Sequence, residues 1–141
     1  MESSNILVWR MEEEIVIPIK CHRVFIQQHK EWIFLYSNDY FNKGCEGMAW
    51  QFVGEENAFM LPSCYKMCAN QRHFHDGRFE HAKLCMDEWF NKIPQNKIII
   101  PMPKMGLGCS RLKELAPKCY EYYKSLIDKI KYKNIRYEYL S

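Results

Sequence analysis

Residues Asn96–Leu112 read NKIIIPMPKMGLGCSRL. The apolar run Ile98-Ile99-Ile100 leads through Pro101 and Pro103 into Met105-Gly106-Leu107-Gly108-Cys109, and a long amphipathic segment comes next. A short apolar run, a glycine turn and an amphipathic stretch predict a buried strand running into a helix. Such a junction is suited to phosphate. A helix start has unpaired N–H groups and partial positive charge, and glycines let an anion approach those amides. The same two glycines also suit a tight turn with no ligand.

A second junction of the same kind precedes it. Glu31–Ser37 (EWIFLYS) reads as a central strand, and Ser37-Asn38-Asp39 supplies turn chemistry. Asn42-Lys43-Gly44-Cys45-Glu46-Gly47 then opens a short helix, Met48–Val53. Two such loops at the carboxyl ends of neighbouring strands would face one crevice, where open α/β sheets bind ligands.

Outward from these junctions, Ile6–Arg10 and Ile15–Lys20 are β-prone runs separated by Glu12-Glu13-Glu14, which fits a hairpin or an edge pair. Val24–Gln28 reads as a further weak strand or loop. Ala58–Leu61 reads as a short strand ended by Pro62-Ser63, and Cys64–Gly77 as a loop. Phe79–Ile93 has helical periodicity, with Phe79, Ala82, Cys85 or Met86 and Trp89-Phe90 on one face. Ser110 is placed to cap the amphipathic segment after it, and Pro117 divides that segment into a turn at Arg111–Leu115 and a helix from Ala116 to Lys131. Ile135–Leu140 alternates and closes the chain as a strand. Strands alternating with helices predict a three-layer α/β/α sandwich with a mixed sheet, as one domain over residues 1–141.

Composition narrows the classes. Nearly half the 141 residues are apolar and 15% are aromatic, so a packed core is expected. A formal net charge of +3 gives no electrostatic case for a nucleic-acid protein. There is no apolar run of roughly 20 residues to span a membrane, and Met1-Glu2-Ser3-Ser4 lacks signal-peptide character. The expectation is a cytoplasmic protein. Its seven cysteines are odd in number and scattered among apolar positions, which suits reduced, buried thiols.

At this point the residues resemble a known family. MPKMGLGCSRL (102–112) resembles the signature of macro domains, in particular the compact branch of the terminal ADP-ribose glycohydrolase type. SNDYFNKGCEGMAWQF (37–52) resembles that family's other glycine loop, with Gly47-Met48-Ala49 matching its last three residues. The resemblance covers about residues 15–140 and implies a macro-like mixed sheet. It also implies that ADP-ribose, or a related NAD-derived nucleotide, is held with its diphosphate between the two loops. By position, Gly106, Leu107, Gly108, Cys109 and Ser110 would form the phosphate loop. Lys43, Gly44 and Gly47 would form the opposite wall, and Ser37, Asn38 and Asp39 would lie near the ribose.

Two departures bear on catalysis and a third on the hold of the adenine. Ser110 stands where hydrolytic members carry an aspartate, and no lysine occurs near Pro62-Ser63-Cys64 before Lys66. Cys21-His22-Arg23 replaces the early Gly-Asp pair that such members use on the adenine amine. Three functions stay open. One is a binding module for the nucleotide, whose partners extend to an ADP-ribosylated protein or nucleic acid. Another is a hydrolase that removes ADP-ribose or cleaves such a nucleotide, with Asp39 or Cys109 as candidates for catalysis. The last is a protein-interaction module with a degenerate cleft. No cofactor is implied.

Other constellations compete. Cys64 and Cys68 with His73 and His75 have types that suit zinc, but not the spacing of the paired-knuckle patterns, and no metal is assigned. Cys109 beside a helix start is the thiol best placed for a lowered pKa, and His73 or His75 are candidate bases for it. Asp39 suits either a base over a ribose or a turn cap. Trp32, Phe34, Tyr36 and Trp50 read as core, and the C-terminal tyrosines as packing or interface residues.

Overall fold

The computed structural model describes residues 13–43, 49–66, 72–108 and 110–139. The expected strand at Ile6–Arg10 lies outside them. The fold is mixed α/β. Its elements run β1 (Ile15–Pro18), α1 (Arg23–Gln28), β2 (Trp32–Asp39), α2 (Ala49–Phe52), β3 (Ala58–Lys66) and β4 (Arg72–His73). A 3-10 turn (Asp76–Arg78), α3 (Phe79–Phe90), β5 (Ile98–Pro101), α4 (Leu112–Leu115), α5 (Pro117–Ile130) and β6 (Ile135–Glu138) complete the order. Among the described residues the strands form a four-stranded sheet in the order β4-β3-β2-β5 and a separate pair, β1-β6.

β2 is the centre of the larger sheet. It pairs parallel with β3 on one side and with β5 on the other, so Trp32 lies beside Ile98 and Phe34 lies between Ala58 and Ile100. Ile33, Leu35, Ile99 and Ile100 are buried together with Phe34, which is why both strands read as continuous apolar runs. Alternation sends Trp32, Phe34 and Tyr36 to the same side. There Phe34 meets Phe25 of α1 edge-on, and Tyr36 stacks on Phe52 of α2 at 5.1 Å. α3 and α5 bury Ala82, Cys85, Met86, Cys119, Tyr123 and Leu126 in the same core. Complete burial of a side chain such as Phe34 or Leu126 is worth roughly 1.5–3 kcal/mol.

Five local expectations need correction. Val24–Gln28 belongs to helix α1. The β-branched residues there favour extension, but tertiary contacts override them. Arg23 donates its backbone N–H to Gln51 Oε1, and its guanidinium reaches Glu55 Oε1 and Trp50 O, both at 2.7 Å. Helical spacing then buries Ile26 and leaves Val24 62% exposed.

Pro62 does not end β3. Phe34 donates its N–H to Asn57 O, which fixes the phase of the parallel ladder. The N–H groups of residues 59, 61 and 63 therefore face β2, and position 62 faces the other edge. β4 pairs only from Cys64 onward, so proline removes no ladder bond. The strand continues to Lys66, and β4 lies inside what reads as the Cys64–Gly77 loop.

Ser110 caps neither of the two helices after it. Arg111, in the left-handed region at φ 48°, precedes α4 without a side-chain cap. Asp76 does the capping for α5, accepting the backbone N–H groups of Lys118 (3.1 Å) and Cys119 (3.0 Å) ahead of the next turn. Trp50 is not core: it is 60% exposed on α2.

β1 takes β6 as its parallel neighbour, with Ile15 opposite Ile135. β5 and β6 diverge. Tyr132 N–H donates to Ile99 O, and beyond that point the Tyr137 hydroxyl spans the gap to Pro101 O. No helix among the described residues is long and apolar enough to cross a membrane.

Candidate functional site

β2 and β5 are hydrogen-bonded neighbours running the same way, so the segments that leave them start from one edge of the sheet. Their onward connections part company. β2 proceeds through α2 to β3, on the side away from β5. After α5, the segment that leaves β5 returns to Ile99 O, which points away from β2 by the register of the ladder. Neighbouring parallel strands whose connections leave in opposite directions form a topological switch point, the place where open α/β sheets leave a ligand crevice.

The first wall starts at Ser37, Asn38 and Asp39, which finish β2 instead of forming a turn. The turn comes one step later, at Tyr40–Asn42. Asn42 has φ 56° and donates its N–H to Asp39 O. Its side-chain oxygen accepts both the Tyr36 hydroxyl and Asn38 Nδ2, each at 2.9 Å. Asn38 Oδ1 accepts Asp39 N–H, and Asp39 Oδ1 accepts Lys43 N–H, at 2.9 Å each. Asn38 and Asp39 are both buried, so these polar groups order the turn in a place where unpaired ones would cost about 1–3 kcal/mol each. One oxygen of Asp39 thus serves as a local cap. Lys43 is exposed at the end of this wall. Gly44 and Gly47 lie outside the described residues.

Three left-handed residues bend the second wall: Lys104 (φ 61°), Gly106 (φ 81°) and Arg111 (φ 48°). Leu107 N–H closes on Lys104 O, Arg111 N–H on Gly108 O and Leu112 N–H on Gly106 O. The N–H groups of Gly106, Gly108 and Ser110 make no hydrogen bond among the described residues. Gly108 is exposed, and a Cβ there would meet nothing within 4 Å. Gly106 is different. A Cβ on it would lie 3.3 Å from Tyr123 Cε1 and 3.4 Å from Tyr120 Cδ1. Leu107 is exposed beside them, Ser110 is buried, and Cys109 lies outside the described residues.

Tyr123 is the post under this loop. Its ring underlies Gly106, and its hydroxyl donates to Leu61 O (3.2 Å) in the middle of β3 while interacting with Ser37. Ser37 Oγ–H donates in turn to Ser63 Oγ at 2.6 Å. Complete burial pushes the Tyr123 phenol well up, so it stays a neutral donor. Ser37 of β2 and Leu61 of β3 are therefore tied to the glycine turn through one side chain.

β4 adds a residue that spacing alone does not place. His73 Nδ1 lies 3.0 Å from Ser110 O, so the ring donates to that carbonyl and leaves Nε2 as an acceptor when neutral. His73 also sits opposite Cys64 across the β3–β4 pair. His75 is exposed and Cys68 lies outside the described residues, and no three metal-ligating side chains gather among those described.

A family model for a family of unknown function, DUF7831, matches residues 19–126. The chain belongs to DUF7831. The part that defines DUF7831 therefore takes in both loops, the Tyr123 post and His73, and leaves out β1, β6 and the end of α5. No curated protein and no solved structure matches the chain.

Proposed function

We propose that the chain is a macro-like domain that binds ADP-ribose, or a related NAD-derived nucleotide, between the 40–43 and 104–111 segments. The observation that carries this reading is the switch point: both glycine junctions leave from adjacent parallel strands at one sheet edge. Gly108 offers an unspent amide and open space for a phosphate oxygen, as a loop built to cradle a diphosphate requires. The three-layer α/β/α arrangement of such domains finds support in β2. Trp32, Phe34 and Tyr36 turn to α1 and α2, while Ser37, of opposite parity, turns to Tyr123 of α5.

A binding module that recognises an ADP-ribosylated protein or nucleic acid fits better than a hydrolase. Ser110 is not a carboxylate, and Asp39 commits one oxygen to the Lys43 amide. One observation favours hydrolysis as the second reading: His73 is held on Ser110, the residue after Cys109, with Nε2 as an acceptor.

Calorimetric titration with ADP-ribose, AMP and NAD tests the proposal. Saturable ADP-ribose binding, with AMP much weaker, is expected. Gly108→Glu, which places a negative charge where the phosphates would sit, should cost about 100-fold or more in affinity. No heat from any of the three nucleotides would overturn the nucleotide reading. Release of free ADP-ribose from a modified protein by the wild type, lost in His73→Ala with binding kept, would favour the hydrolase instead.

A further inference from the structure

The divergence of β5 and β6 leaves a second concavity, on the far side of the glycine turn from β2. It has a volume of about 270 Å³ and is lined by the 101–107 segment, one flank of α5 and the start of β6. It shares Lys104, Met105 and Leu107 with the second wall of the site described above, but no residue of the 37–43 wall borders it.

Its chemistry is divided. The floor is apolar and soft: Met102, Met105, Ile127 and Ile135, with the rings of Tyr120 and Tyr137. Met102 and Met105 are buried, and thioethers and aromatic faces pack well against a flat ring. The Tyr137 hydroxyl is committed to Pro101 O, while the Tyr120 hydroxyl has no partner among the described residues. The rim is cationic. Lys104, Lys124, Lys131 and Lys133 line it from four points, all exposed, against the single carboxylate of Asp128, which pairs with Lys131 at 3.0 Å. Lys104, Lys124 and Lys133 carry no ion pair among the described residues.

We infer that this pocket is a binding site for a small aromatic anion, a single ring bearing a phosphate or carboxylate. The ring enters between the methionines and tyrosines, and the anionic group stays at the lysine rim with the Tyr120 hydroxyl as a further donor. The volume, just under the roughly 300–1,000 Å³ of typical ligand pockets, matches one ring and its anionic group better than a helix or an extended peptide. The site stands independently of the nucleotide reading.

The test uses the full chain labelled at its methionine ε-methyls and followed by NMR. Phenyl phosphate is the probe, with inorganic phosphate and benzyl alcohol supplying the charge and the ring separately. The expected result is saturable shifts at Met102 and Met105 with phenyl phosphate, and binding at least ~10-fold weaker for either half alone. Lys124→Glu and Lys133→Glu, both at exposed positions, should each weaken phenyl phosphate ~10-fold. Gly108→Glu should leave it unchanged, because Gly108 does not line the pocket.

Several outcomes would overturn the inference. One is no shift at the two methionines. Equal binding of benzyl alcohol would mean that the lysines recognise nothing, and equal binding of inorganic phosphate would mean that the floor does not. Loss of phenyl phosphate binding in Gly108→Glu would place the anion in the nucleotide crevice instead.

Discussion

Gly106 and Gly108 stand two residues apart in one loop, yet the structure assigns them opposite sensitivities. Gly106→Ala would place a methyl group on a backbone at φ 81°, a region that costs an ordinary L-residue roughly 1–2 kcal/mol. The same methyl would press on Tyr123 at 3.3 Å and Tyr120 at 3.4 Å. Tyr120 is half-buried and can swing away, but Tyr123 is fully buried and tied to Leu61 O. Overpacking of that kind adds about 1 kcal/mol, at the low end of its range because one neighbour yields. The sum for Gly106→Ala is about 2–3 kcal/mol. Gly108→Ala meets neither obstacle and should fall within about 0.5 kcal/mol of wild type. Urea denaturation of the three proteins at pH 7, with m-values compared, gives both numbers. Equal costs, or a neutral Gly106→Ala, would refute the idea that the turn is clamped onto Tyr123. The same contrast makes Gly108, not Gly106, the position at which a charge probes ligand binding without unfolding the loop.

Two further predictions concern the core that holds the loop. Burial pushes the Asp76 carboxyl up, but the two amides it accepts from Lys118 and Cys119 outweigh this and hold its pKa below the ordinary value. Its contribution is therefore present above about pH 4, the unfolded value, and is lost as pH falls through the folded one. Asp76→Ala should cost about 1 kcal/mol at pH 7, and its urea curve should approach that of wild type in acid. A gap that stays constant down to pH 2 would show that the carboxylate is not the cap of α5. Burial pushes the thiols of Cys21 and Cys119 up to about 12, so neither should be alkylated by iodoacetamide at pH 7.5 in the folded protein. Mass spectrometry of labelled peptides checks this, and rapid native labelling at either position would show that its burial is wrong.

Some of this architecture is legible in the residues themselves. Ile98–Pro101 is the strand it reads as because three isoleucines suit a strand with both faces covered. α3 and α5 announce themselves by helical periodicity, and Pro117 marks the start of α5. What local reading misses is decided from a distance. α1 is helical because Gln51, Trp50 and Glu55 hold Arg23 from 27 residues or more away. β3 runs through Pro62 because that position faces an unpaired edge, which only the ladder phase reveals.

The candidate site divides in the same way. Gly106 and Gly108 signal a special turn, and the mixed polar run from Ser37 to Asn42 signals that something is ordered there. The Tyr123 post and the His73–Ser110 contact join residues 62 and 37 positions apart, and no local pattern encodes either.

If the loop after β2 and the loop after β5 form one crevice for one ligand, a single binding event must protect both. Amide hydrogen exchange, measured with and without saturating ADP-ribose, is the sharpest test of that. Slower exchange is expected at both Tyr40–Lys43 and the 104–111 segment, with Gly106, Gly108 and Ser110 among the protected amides and the 132–138 segment unchanged. Protection at one loop alone, at neither, or at a site elsewhere on the chain would contradict it.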